Sequence, residues 1–142
     1  MEKTIEEAYG IKSKPVKLKR VTTISGRALD LIPTGHHVLD DINFPEFTCL
    51  CPRTGHPDYA TVRIVYLPKN WIIEEKSLKY YFGSFRNVGH FHEDIIALIE
   101  KDLRTVLEPY KLDIIAEFTA RGGMETTVRA GDTVIDLLEE KE

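Results

Sequence analysis

An α+β domain, with a four-stranded antiparallel sheet covered on one face by two helices, is what this sequence predicts. Three observations carry that expectation. Two extended stretches precede two helical ones, and two further extended stretches follow. The last two extended stretches alternate apolar and polar residues and meet at a pair of glycines, the mark of a β-hairpin. The longest helical stretch keeps one apolar stripe at the 3.6-residue period.

Taken in order, residues 1–20 carry many charges and few large apolar side chains, so they read as a loosely held arm. A single domain then runs over 21–142. His37 to Leu50 reads as a strand and ends in Cys51-Pro52-Arg53-Thr54-Gly55-His56-Pro57-Asp58, where two prolines and a glycine exclude a regular element. Thr61 to Leu67 reads as a strand with Val62, Ile64 and Tyr66 on one face, closed by Pro68 and Asn70. Ser77 to Arg86 is aromatic-rich and reads as a helix. His92 to Glu108 is the clearest helix, with Ile95, Ile96, Ile99, Leu103, Val106 and Leu107 as its stripe. Glu93 and Asp94 complement the helix dipole in its first turn, and Pro109 stops it. Leu112 to Phe118 and Met124 to Ala130 alternate on either side of Gly122-Gly123. The tail from Gly131 to Glu142 reads as a short helix. Such a sheet leaves two open edges, and self-association into a ring or barrel would remove them.

Composition narrows the function. A chain of 142 residues can bury a core without disulfide staples, and its 42% apolar and 30% charged content is ordinary for a globular protein. The net charge of −4 and the absence of a basic block argue against a direct nucleic-acid partner. No apolar run approaches the roughly 20 residues that span a bilayer, so no membrane partner is expected. The charged N-terminus lacks the apolar core of a signal peptide. The expected location is the cytoplasm. There, Cys49 and Cys51, too close in sequence for an unstrained disulfide, stay reduced.

Several side chains could carry chemistry. Cys51 sits in a polar loop rather than an apolar run, which suits a reactive thiol; an inert buried cysteine is the alternative, and it is the preferred reading for Cys49. Asp58, seven residues beyond Cys51, could exchange a proton with it, or could simply cap a turn beside Pro57. His92 and Glu93 open the long helix, either as cap and dipole complement or as two polar groups aimed into a cleft. Lys76 and Lys79 would share a helix face and, with Arg121 beside Gly122-Gly123, could bind phosphates; a solvated charged face is the plain alternative. There is no Rossmann fingerprint and no Walker motif. Cys49 and Cys51 with His36, His37, His56 and His92 lack the paired spacing of a structural zinc site, so no metal is expected.

Together these pieces resemble one family. Pro45 to Asp58 is similar to the nucleophile loop of the short, single-domain 7-cyano-7-deazaguanine reductases, the QueF family. Glu74-Glu75-Lys76-Ser77-Leu78-Lys79-Tyr80-Tyr81 resembles that family's signature, departing from it at Glu75, where the signature has Ser. Ser84-Phe85-Arg86-Asn87, Phe91-His92-Glu93-Asp94 and Phe118-Thr119-Ala120-Arg121-Gly122-Gly123 also match, and the similarity spans roughly Phe44 to Met124. The resemblance implies a tunnelling fold assembled into a barrel-like ring, commonly stacked pentamers, with sites at subunit interfaces. It implies NADPH as cofactor and a small deazapurine nitrile as substrate, reduced to an amine through a cysteine thioimide in queuosine biosynthesis. Carried over by position, Cys51 is the nucleophile, Asp58 the proton donor and His92 a proton source. Ile73, Glu74, Glu75, His92 and Glu93 would contact substrate, and Lys76, Lys79 and Arg121 would hold NADPH phosphates. The alternatives are a redox-free relative that adds ammonia to the nitrile on transfer RNA, and a zinc-stabilised binding module without catalysis.

Overall fold

The computed structural model describes residues 5–10 and 17–133. In chain order the elements are α1 (Ile5–Tyr9), β1 (Lys19–Thr22), β2 (Ala28–Pro33), β3 (Asp40–Leu50), β4 (Pro57–Leu67), β5 (Trp71–Ile73), α2 (Glu75–Gly83), α3 (His92–Leu107), β6 (Lys111–Arg121) and β7 (Met124–Gly131). The main sheet runs β3-β4-β6-β7, antiparallel throughout, as its alternating sequences require. Ile42, Ile64, Ile114 and Ala130 lie side by side across it, so one face of all four strands enters the core.

Both expected helices cover that face. Helix α3 buries Ile95, Ile96, Ile99, Leu103 and Leu107, and α2 buries Leu78, Tyr81 and Phe82. Phe82 stacks on Phe44 at 4.8 Å between ring centroids and meets the edge of Phe47 at 5.7 Å. Each such pair adds about 0.5–1.5 kcal/mol beyond its area, so Phe82→Ala would cost on the order of 3–5 kcal/mol. The far face of the sheet is polar, and Arg63 grips Asp41 there with two hydrogen bonds of 2.9 and 2.7 Å.

Four boundaries differ from expectation. A second, three-stranded sheet, β1-β2-β5, was not foreseen, and β1 already includes Lys19 and Arg20 of the supposed arm. Strand β3 begins at Asp40 rather than His37. Strand β4 begins at Pro57, four residues before the expected Thr61. A strand's first position is where a ladder tolerates proline, and the consequence is that Asp58 is a strand residue, paired with Cys49 rather than capping a turn. Helix α2 begins at Glu75 because Glu74 caps it, accepting from the N–H groups of Lys76 and Ser77 at 3.0 and 2.7 Å. Of the helix expected over 131–142, residues 134–142 fall outside the described residues, while Gly131 closes β7 and Asp132 and Thr133 follow it without helical structure.

The small sheet is tied to the helices by buried polar groups. Asp102 of α3 is fully buried and accepts from the Ser25 N–H at 2.9 Å, the Ser25 hydroxyl at 2.6 Å and the Tyr81 hydroxyl at 2.7 Å. A buried carboxylate requires such partners. Ser77 of α2 accepts from the N–H of Asp30 in β2 at 2.9 Å.

Candidate active site

Strand β3 stops at Leu50, and the chain closes a tight loop. The Cys51 N–H donates to the His56 carbonyl at 2.8 Å, and the Gly55 N–H donates to the Cys51 carbonyl at 2.9 Å. Gly55 has φ +71°, a left-handed conformation that glycine adopts without penalty. Backbone bonds then zip the end of β3 to the α2–α3 connection. Leu50 donates to Val88 at 3.0 Å, and His90 donates to Leu50 at 3.1 Å. That zipper fixes the Cys51 loop against the segment that leads through Phe91 into His92 and Glu93.

Asp58 lies across from Cys49 on the core-facing side of β4, only 4% exposed. Its carboxylate is held from two sides. His92 places Nε2 3.3 Å from one oxygen, and Arg121 places a guanidinium nitrogen on the other. The His92 ring is itself fixed, stacked on Phe118 with centroids 3.7 Å apart and planes 7° from parallel. Arg121 reaches Asp58 from the end of β6, where Gly122 and Gly123 turn the chain with φ of +59° and +80°. Two successive positive φ values are what a two-residue hairpin turn needs.

These groups face one cleft of about 360 Å³. Cys51 and Thr54 line it from the loop, Asp58 and Arg121 from the sheet, and His90, Phe91, His92 and Glu93 from the entry to α3. Five expected residues therefore converge: Cys51, Asp58, His92, Glu93 and Arg121. A larger hollow of about 460 Å³ lies on the polar face of the sheet, between Asp41, Asn43, Arg63 and Glu117, away from the cysteine. The two thiols differ sharply. Burial pushes Cys49 up to about 11, and the charges of Asp58 and Cys51 add to it. The half-buried Cys51 is instead pulled below the ordinary thiol value. The Thr54 side chain leads, followed by the N–H groups of Thr54 and Arg53, against opposing effects of burial and Asp58.

The other expected residues stand elsewhere in the protomer. Ile73 is in the core, and its N–H donates to the Tyr66 hydroxyl at 2.9 Å. Glu74 is the α2 cap, and Glu75 is exposed in the first turn. Lys76 lines a hollow with Glu74, Arg20 and Tyr80; Lys79 lines another with Arg86, Glu46 and Phe44. Exposed Lys79 and Arg86 suit a phosphate in charge and access. Arg121, expected beside the two lysines, sits on Asp58 instead. Thr54, His90 and Phe91 were not singled out from sequence; their signal was only position, within or next to motifs that were. Among the described residues no group of three His, Cys, Asp or Glu side chains is placed to hold a metal ion, and no helix is long and apolar enough to cross a membrane.

Residues 57–134 match the family described as QueF-like protein. The NADPH-dependent 7-cyano-7-deazaguanine reductase of Thermomicrobium roseum is 52% identical over 90 residues, covering 63% of this chain and 70% of that protein. The enzyme of the same name from Bacillus pumilus is 41% identical over 125 residues, covering 78% of this chain and 76% of its own length. With the Alkaliphilus metalliredigens enzyme the match is 52% over 83 residues, half of that protein. Among solved structures, the apo crystal structure of the archaeosine synthase QueF-Like superposes with a TM-score of 0.60 at 21% identity, covering 66% of this chain and 92% of the other. That likeness is one of fold.

Proposed function

This chain belongs to the QueF-like protein family, and from that premise we propose that it reduces the nitrile of 7-cyano-7-deazaguanine to the aminomethyl group with NADPH, in queuosine biosynthesis. The observation that carries the reading is the convergence of Cys51, Asp58, His92 and Glu93 on one cleft. The Cys51 thiolate adds to the nitrile carbon. A C–S bond forms, one C–N π pair moves to nitrogen, and that nitrogen takes a proton, leaving a neutral thioimide. The proton comes from Asp58, with His92 as its source, the two facing each other at 3.3 Å. Arg121 occupies the other Asp58 oxygen and so orients the acid.

Glu93 is exposed at the helix entry and accepts the ring N–H and exocyclic amino group of the base, a bidentate charge-assisted contact. When bound, NADPH supplies the hydride, two equivalents for each nitrile taken to an amine. Lys76 and Lys79 would hold its phosphates. Ile73, Glu74 and Glu75 meet substrate from a neighbouring copy, since they lie outside the cleft of their own protomer. On this reading the site is shared between subunits. Edge strands β3 and β7 continue the ladder between copies into a barrel-like, tunnelling-fold ring, stacked as pentamers, in the cytoplasm.

The test is to mix the protein with the nitrile and NADPH and follow the absorbance of the reduced nicotinamide. Two equivalents consumed per amine formed support the reading; nitrile binding with no coenzyme consumed overturns it. Sedimentation checks the assembly, and a fully active monomer would rule out a shared site.

A further inference from the structure

One stretch singled out in the sequence, Ser84-Phe85-Arg86-Asn87, takes no part in the cleft. Its first two residues are structural. The Ser84 hydroxyl donates to the Tyr81 carbonyl at 2.5 Å and accepts from Arg27 at 2.6 Å. Phe85 is fully buried, with the Arg27 guanidinium 3.7 Å from its ring centroid. Arg86 is different. Arg63, Arg121 and Arg129 each hold a carboxylate, but the exposed Arg86 side chain makes no hydrogen bond or ion pair among the described residues. It lines a hollow of about 320 Å³ together with Lys79, equally exposed and equally without a partner among those residues. Lys79 and Gly83 stand one above the other on α2. Arg86 follows after a turn in which its N–H donates to the Gly83 carbonyl at 3.2 Å. Gly83 leaves the space beside the two cations open, since a Cβ added there would meet nothing within 4 Å. Phe82, stacked on Phe44, forms the floor, and Tyr80, 69% exposed, stands at the rim.

We infer that Arg86, with Lys79, holds the ribose 2′-phosphate of NADPH in this hollow and so determines specificity for the coenzyme. A phosphate monoester carries close to two charges near neutral pH and three strong acceptor oxygens. That suits an arginine fork and a lysine lining one hollow. Each phosphorus of the coenzyme's diphosphate bridge carries one charge and two free oxygens, a poorer match to the same pair. Two cations sharing a hollow repel each other, and an anion between them removes that repulsion. Glu46 also lines the hollow, and its carboxylate would repel a phosphate placed beside it; it suits the neighbouring ribose hydroxyl, which donates. The exposed Tyr80 ring offers the adenine a face to stack on. The pair is separate from Lys76, which lines its own hollow with Glu74 and Asp30, and from Arg121, which is engaged by Asp58.

The role rests on the reading of this chain as NADPH-dependent, but its test needs neither nitrile nor turnover. Adenosine 2′,5′-bisphosphate and adenosine 5′-diphosphate are titrated calorimetrically into wild type, Arg86→Ala and Lys101→Ala. Lys101 is an exposed lysine of α3, and its removal controls for the general field of the surface. Wild type is expected to bind the bisphosphate. Arg86→Ala is expected to bind it about fivefold more weakly, the loss of a charge-assisted contact discounted for exposure. Its affinity for the diphosphate should change by less than about twofold. No bisphosphate binding by wild type, or unchanged binding in Arg86→Ala, overturns the inference. So does an equal loss for both nucleotides, which would put Arg86 on the diphosphate bridge. An equal loss in Lys101→Ala overturns it too, since only the surface field would then be at work. Arg86-dependent binding of the bisphosphate, in a protein that consumes no coenzyme with the nitrile, would leave this inference standing while the reductase reading fell.

Discussion

Cys49 and Cys51 are two residues apart and chemically opposite. Cys49 is the last core-facing residue of β3, fully buried and paired across the ladder with Asp58, and its thiol is pushed up to about 11. Cys51 is the first residue past the strand, half-buried, with the donors of its own loop drawing its thiol down. The difference is not one of residue type or of distance from Asp58's charge, which opposes ionisation of both. It is the difference between a strand, whose N–H groups serve the ladder, and a tight turn, whose N–H groups can face a side chain. Ending the strand at Leu50 is what leaves one of the two cysteines at the cleft and out of the ladder.

The largest effect expected from that contrast is all or nothing. Incubation with the nitrile and no coenzyme should add the substrate's mass to wild type and to Cys49→Ala, and none to Cys51→Ala. An adduct retained in Cys51→Ala would reverse the assignment. Next, Asp58→Asn removes the proposed proton donor while keeping shape, and the rate of adduct formation should fall roughly a hundredfold or more; a rate within a few-fold of wild type would make Asp58 a structural partner of Arg121 and no more. Smaller again, Lys76→Ala and Lys79→Ala should lower the ratio of catalytic efficiencies with NADPH and NADH by up to about tenfold, a charge-assisted contact discounted for exposure. Arg121→Ala should depress turnover with both coenzymes alike, since its partner is Asp58. Loss of coenzyme preference in Arg121→Ala alone would return it to the phosphate site.

The smallest effect concerns stability. Because the folded Cys49 keeps its proton up to about 11 against an ordinary 9.0, the unfolded chain loses that proton first. Its contribution to stability is therefore complete below about 9 and lost as pH rises towards 11. Urea midpoints across that window should fall less steeply in Cys49→Ala than in wild type. The buried hydroxyls of Tyr66 and Tyr81, also pushed up, titrate in both proteins and cancel in the difference. Parallel curves would show that Cys49 titrates freely.

Much of the main sheet was legible because its strands are long and alternate cleanly; β6 and β7 announce themselves by Leu112, Ile114, Ala116 and Phe118 and by the glycine pair after them. Helix α3 was legible from its stripe. The small sheet was not. Strands β1 and β5 have four and three residues, too few for a period, and β5 joins β2 only through a pairing some forty residues apart, Leu31 with Ile73. The start of β4 was hidden by Pro57, read as a breaker where it is a tolerated first residue. At the site, Cys51, Asp58, His92 and Glu93 were named in advance, by loop character and family likeness together. That Arg121 closes on Asp58 was not foreseeable, since it depends on the β4–β6 register bringing a hairpin tip to a strand start, and nothing in local sequence encodes that distance.

The Asp102 contact to Ser25 has a consequence for how the protein breathes. Ser25 sits in a surface turn, where a backbone amide would ordinarily trade its hydrogen for deuterium within moments of exposure to heavy water. Here that amide is bonded to a fully buried carboxylate on α3. Its exchange must then wait for the turn to lift off the helix or for the helix itself to open. One amide on the outside of the molecule thus keeps time for an event inside it, and its protection, compared with that of Ile99 in the middle of α3, would tell whether the small sheet detaches first or leaves only when the core does.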